Sequence, residues 1–129
     1  MNADERRLKL DRITEKIIGC AYKVSNTLGS GFLEKVYENA LALELLKTGL
    51  KVEQQHGIKV QYDGVIVGEF AADLLIENSV LVELKTAKSL DDANMAQCLN
   101  YLKATGLSVC LLINFGTTRA DIRRIVNNF

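Results

Sequence analysis

Residues 80–85 read Val-Leu-Val-Glu-Leu-Lys, and this stretch restricts the fold more tightly than any other. Val80, Leu81, Val82 and Leu84 suit a strand inside a sheet, where aliphatic side chains pack on a pleated surface. Glu83 and Lys85 interrupt that run at a spacing of two, so both leave the strand on one face. A charge there is tolerated only if something compensates it. Upstream, Phe70-Ala71-Ala72-Asp73-Leu74-Leu75-Ile76 forms a second strand-like run, and Glu77-Asn78-Ser79 supplies the turn between the two. If Ile76 and Val80 close a three-residue loop, Asp73 falls directly opposite Glu83. Facing residues of an antiparallel pair hold their Cβ atoms roughly 4.5–5.5 Å apart, and like charges there repel. Two such carboxylates invite a divalent cation, with Lys85 offsetting the remaining charge. The pattern D-x9-E-x-K is therefore a candidate metal pocket. A surface salt bridge between Lys85 and one of the acids accounts for the same letters.

The remaining chain supplies the elements around this pair. Ile13, Ile17, Ala21, Val24 and Leu28 recur at steps of three and four, the stripe of an amphipathic helix over residues 10–28. Gly29-Ser30-Gly31 breaks it. A second helix is expected over residues 32–47, with Leu33, Tyr37, Ala40 and Leu41 inward and Gly49 past its end. The period then changes to two. Ile58, Val60 and Tyr62 alternate with polar residues, Asp63-Gly64 is a hairpin turn, and Val65-Ile66-Val67 follows. His56 beside Gly57 reads as a surface loop residue. Ser89 with Asp92 resembles a capping box for a helix that turns Met95, Leu99 and Leu102 inward and stops at Gly106. The apolar run from Val109 to Phe115 suits a strand buried on both faces. Residues 122–126 fit a short helix or an edge strand equally well. The order α-α-β-β-β-β-α-β implies a single α/β domain over residues 1–129, a mixed sheet covered by helices.

Composition narrows the chemistry. Lys and Arg total 16 against 16 Asp and Glu, so this is not a strongly basic nucleic-acid binder. Residues 61–92 are nevertheless acidic and residues 103–129 modestly basic, which suits a cation mediating contact with an anionic substrate. Cys20, Cys98, Cys110 and the single His56 are too dispersed for a zinc site. The cysteines read as buried small hydrophobes in a reducing compartment. One histidine makes a Ser-His-Asp or Cys-His site a poor fit. No apolar run approaches the ~18 residues of a membrane span, and the charged start is no secretory signal, so a cytoplasmic protein is expected.

Two further motifs flank the acidic pair. Gly31-Phe32-Leu33-Glu34-Lys35-Val36-Tyr37 reads G-x-x-E-x-x-Y, and Gln97-Cys98-Leu99-Asn100-Tyr101 reads Q-x-x-x-Y. Glu34 and Tyr37 share a helix side, as do Gln97 and Tyr101. Taken together and in this order, the motifs make the chain resemble the GxxExxY protein family, a branch of the PD-(D/E)XK nuclease-like superfamily. The likeness spans about residues 12–127, through GSGFLEKVYENAL, GEFAADLLIENSVLVELKT, AQCLNYLKATG and LLINFG. It implies a restriction-endonuclease-like core whose sheet bears the D and E-x-K residues. Glu34 matches the acid that the N-terminal helix gives to the site. The Q-x-x-x-Y pair is similar to a motif beside the metal site of RecB-type nucleases. Ala72 stands where the superfamily pattern has proline, a position at which proline is often absent.

The resemblance implies a metal-dependent nuclease, with DNA a better substrate than RNA. Asp73 and Glu83, with the Leu84 carbonyl, would hold Mg²⁺, with Mn²⁺ as a substitute. Glu34 would hold a second ion or a water. Lys85 would orient the attacking water or stabilise the transition state, and Gln97 and Tyr101 would hydrogen-bond the phosphate. The alternative is a nuclease-fold module that binds nucleic acid or assembles with other molecules, with weak or no catalysis. With so little basic surface, a homodimer or partner protein is expected to complete a DNA cleft. A small phosphorylated substrate is a third reading, but no phosphate-cradling glycine loop supports it.

Overall fold

The computed structural model describes residues 1–127. Helix α1 (Ala3–Leu28) starts well before the apolar stripe. Asn2 caps it by accepting the Glu5 N–H at 2.8 Å, and Asp4 and Glu5 lie in a first turn where acids favour the helix dipole. Burial begins only at Leu10, which is why periodicity located the packed part alone. Helix α2 (Glu34–Lys47) buries Tyr37, Leu41, Ala42 and Leu45. Leu33, expected inward, is its extended N-cap residue and 81% exposed. Its side chain leaves before the helical face begins.

Five strands follow in one sheet, in the spatial order of the chain. They are β1 (Val52–Tyr62), β2 (Val65–Ile76), β3 (Val80–Lys85), β4 (Val109–Asn114) and β5 (Asp121–Val126). All neighbours are antiparallel except β3 and β4, which run parallel because α3 (Asp92–Thr105) crosses between them. Asp63 and Gly64 both take positive φ, 49° and 76°, so the β1–β2 turn has the twist of a two-residue hairpin. Helices α1 and α2 cover one face through Ile17, Leu41, Leu45, Val82, Leu84 and Leu111. Helix α3 covers the other through Cys98, Tyr101 and Leu102 on Leu81, Cys110 and Leu112. Every residue of β4 is buried, as its unbroken apolar run requires. The three cysteines are free and buried.

Several local expectations are corrected. Residues 65–67 and 70–76 are one strand, because Gly68 keeps its pairing with Val60 and a bulge at Val60/Gln61 absorbs the register change. His56 is no loop residue. It lies within β1, paired with Ala72, and its Nδ1 is 2.6 Å from a Glu53 carboxylate oxygen. The capping box of α3 is Asp91 with Asn94, not Ser89 with Asp92, since Asp91 alone has its carboxylate on the third helical N–H at 2.8 Å. Residues 121–126 form an edge strand, tied to α1 by Arg124 on Asp11 at 3.0 Å.

Tyr37 fastens the helix break. Its hydroxyl donates to the Gly29 carbonyl at 2.6 Å and accepts from the Phe32 N–H at 3.3 Å, while its ring stacks on Phe115 at 4.6 Å. The tyrosine of G-x-x-E-x-x-Y is therefore an architectural residue that fixes where α2 begins. Tyr37→Phe keeps the stack and removes both bonds. It is expected to lower the unfolding free energy by about 1 kcal/mol in urea titrations, and an unchanged midpoint would contradict this role.

Candidate active site

The three-residue loop closes as the sequence requires, with Ile76 opposite Val80 and Leu74 opposite Val82. One step further, the β2–β3 ladder stops and carboxylates replace it. The Asp73 N–H donates to Glu83 Oε1 at 3.0 Å, and the Leu84 N–H donates to Asp73 Oδ2 at 2.7 Å. Pairing with β1 is also interrupted at this level. Gln54 pairs with Leu74 and His56 with Ala72, while Gln55 between them has a left-handed φ of 55°. That conformation is strained for a non-glycine residue and is typical of functional sites. It delivers the Gln55 amide to Asp73 Oδ1 at 3.2 Å and to Glu38 Oε1 at 2.7 Å. Asp73 is thus held at both oxygens.

Glu83 is only 5% exposed. Burial, and next the charge of Asp73, push its carboxyl up to about 7. Lys85, half-buried and two residues on, pulls the other way without forming a salt bridge to either acid. The segment after Lys85 is fixed by the buried Asn114. Its Oδ1 accepts from Ala87 N–H at 3.0 Å and Gly116 N–H at 2.9 Å, and its Nδ2 donates to the Ala87 carbonyl at 2.9 Å. The Lys85 carbonyl accepts from Phe115 N–H at 2.8 Å. Gly116 must stay glycine, because a Cβ there would meet the Ala87 carbonyl oxygen at 2.3 Å.

Helix α3 presents Gln97 and Tyr101 to the same face. The Gln97 amide donates to the Tyr101 hydroxyl at 3.2 Å, and its Oε1 is buried with no partner among the described residues. Burial and then the Glu83 charge raise the Tyr101 hydroxyl above its usual range. Glu34, the first residue of α2, is exposed and makes no hydrogen bond or ion pair among the described residues. Its charge still adds slightly to the upward pressure on Glu83. Among the described residues no three acidic, histidine or cysteine side chains gather as a ready metal cluster, so Asp73 and Glu83 meet without Glu34.

The residue not foreseen is Glu38, one turn beyond Glu34 and 3% exposed. It takes Lys35 at 3.0 Å and the Gln54 and Gln55 amides at 2.7 Å each, so Gln55 links it to Asp73. Its sequence signal was the i, i+4 spacing from Glu34 directly beside the core position Tyr37. Nothing local in the sequence marked Gln55 or Asn114.

A sequence profile described as the PD-(D/E)XK nuclease superfamily matches residues 11–125, nearly the whole chain. The chain belongs to the PD-(D/E)XK nuclease superfamily. No curated protein matches it. Among solved structures it is similar to SSO0001, at 18% identity and a TM-score of 0.55 over 74% of this chain and 51% of that one. It is also similar to an alkaline exonuclease from Laribacter hongkongensis, at 12% identity and a TM-score of 0.51 over 89% and 82% of the two chains. The chain therefore spans about half the length of SSO0001. These likenesses establish the restriction-endonuclease-like fold.

The raised Glu83 carboxyl has a sign that can be checked. Between pH 4.5 and about 7 the unfolded chain has lost this proton and the folded chain still holds it. The folded state binds more protons there, so stability falls as pH rises through the window and stays reduced above it. The shift corresponds to about 3 kcal/mol. In metal-free urea titrations, Glu83→Gln, whose Oε1 still accepts from Asp73, should lack this decline and exceed wild type in stability above about pH 7. Parallel pH profiles would contradict the buried, repelled carboxylate.

Proposed function

We propose that this protein is a divalent-metal-dependent nuclease hydrolysing phosphodiester bonds, with DNA preferred over RNA. The observation that carries the reading is the buried Glu83 set against a half-buried Asp73, with a lysine on the same strand face that makes no ion pair among the described residues. A purely structural pair would be neutralised by that lysine.

The donor set fits a hard cation. Asp73 and Glu83 offer carboxylate oxygens, and the Leu84 carbonyl lies on the same strand edge as the Leu84 N–H that reaches Asp73. These three would hold Mg²⁺ or Mn²⁺, and Glu34, exposed at the start of α2, would serve a second ion or a water. When bound, the cation supplies acidification of a water and neutralisation of phosphate charge. The other roles belong to the chain. Lys85 places an ammonium where charge builds on the phosphate oxygens. Tyr101 and Gln97 provide hydrogen bonds to the phosphate, and the orphaned Gln97 Oε1 gains a partner only when something enters. Glu38 acts through Gln55 to keep Asp73 in its orientation.

The same reading assigns the Gly31–Tyr37 motif to the GxxExxY branch and treats residues 1–129 as one catalytic domain. Free, buried cysteines support a reducing, cytoplasmic setting. No helix among the described residues is long and apolar enough to cross a membrane. A second copy or a partner protein is assigned to complete the DNA cleft, because the net charge is zero.

Lys85→Met conserves the side-chain stem and removes its charge. In a Mg²⁺ or Mn²⁺ assay on labelled DNA, it should fold normally and cleave on the order of 10²–10³ times more slowly. Equal rates for wild type and variant would exclude the role of Lys85. Absence of cleavage by wild type would favour a binding module on a nuclease fold.

A metal that binds only the folded state should also raise the melting temperature, by the equivalent of about 2.7 kcal/mol at a hundredfold excess over Kd. Identical melts in Mn²⁺ and EDTA would count against a folded-state metal site. The Asp73→Asn/Glu83→Gln double variant should show no such shift.

A further inference from the structure

An open groove of about 970 Å³ runs between α3 and the β1–β2 hairpin. Tyr101 and Gln97 belong to its lining, and Tyr101 packs in one cluster with Leu81 of β3, the strand that carries Glu83 and Lys85. Among the described residues the charged lining of the groove is Lys59 from β1, which pairs across the hairpin with Glu69, and Lys103 from α3, and no carboxylate lines it. In a chain with equal numbers of acids and bases, that is a local positive strip. The α3 wall is built from Ala93, Ala96 and Ala104, small side chains that let a ligand backbone come close. The hairpin wall carries Phe70, 51% exposed despite its size, with its ring centroid 5.9 Å from that of Tyr101.

We propose that this groove carries a single nucleic-acid strand to the candidate active site, with Phe70 stacking on one base and Lys59 and Lys103 holding phosphates. The proposal rests on the nuclease reading and narrows its substrate to unpaired strands or frayed ends. A duplex keeps its base faces stacked inside and offers a groove wall phosphates, sugars and base edges only. An exposed aromatic among cations and amides serves a strand whose bases are free to stack. Gln61 and Asn100 line the same space and suit sequence-independent hydrogen bonding to sugar and phosphate.

The test is fluorescence anisotropy of the full chain in EDTA, so that binding is read without cleavage. Labelled single-stranded DNA, single-stranded RNA and duplex DNA of one sequence are compared at fixed salt. Single strands should bind about tenfold tighter than duplex, and Phe70→Ala should weaken single-strand binding about tenfold while Phe70→Trp retains it. Each of Lys59→Ala and Lys103→Ala should lower the salt dependence by about 0.7 in log–log slope. These side chains are at the surface, and circular dichroism confirms folding of each variant. Duplex binding as tight as single-strand binding, or Phe70→Ala binding like wild type, overturns the proposal. So does a groove that takes an apolar peptide and no oligonucleotide. A parallel Mg²⁺ cleavage assay separates the two readings. Phe70-dependent strand binding without cleavage keeps the groove and removes the enzyme. Cleavage lost in Lys85→Met, with Phe70→Ala binding unaltered, does the reverse.

Discussion

Asp73 and Glu83 face one another at the point where β2 and β3 stop sharing a ladder, and much of the local architecture answers to that contact. Each carboxylate takes the backbone N–H of the opposing strand segment, so the sheet opens by exchanging amide–carbonyl bonds for amide–carboxylate ones. Burial first, and then the charge of Asp73, makes Glu83 hold its proton up to about pH 7. A penalty of a few kcal/mol is a large fraction of the stability of a small domain, and it persists only within a frame that overrides it.

That frame consists of two apolar layers. Strand β4 is buried on both faces and pairs along the whole of β3, from Val80 with Val109 to Lys85 with Asn114. Strand β3 therefore stays in place even though its other neighbour leaves it. Asn114 then ties the chain just beyond Lys85, and Tyr37 fixes the start of α2, so that Glu38 meets Gln55 and Gln55 meets Asp73. Positions of charge are set by packed elements rather than by loose loops, the condition for electrostatic preorganisation.

The part of this that was legible in the sequence follows from short-range geometry. A three-residue loop and a period of two were enough to bring Asp73 and Glu83 together just past the end of the β2–β3 ladder, and helical spacing placed Gln97 with Tyr101. The supporting residues were not legible because their partners are distant in the chain. Glu38 and Gln55 are 17 positions apart, and Asn114 reaches back 27 to Ala87. The left-handed Gln55 has no local signal in the sequence, and the groups its amide reaches, Glu38 and Asp73, are far along the chain. Leu33 and His56 were misplaced for the opposite reason. Local letters suggested a helix face and a turn, and tertiary pairing put one at an N-cap and the other in a long strand.

The central claim is that the carboxylate pair is strained when alone and relaxed by a divalent cation. The most direct measurement is a ¹³C NMR pH titration of the Glu83 side-chain carboxyl, assigned with Glu83→Gln, in EDTA and again in saturating Mg²⁺. The account predicts a midpoint near 7 without metal and a fall to or below the ordinary value of 4.5 with it. An ordinary midpoint in EDTA, or one near 7 that Mg²⁺ leaves unmoved, would contradict it.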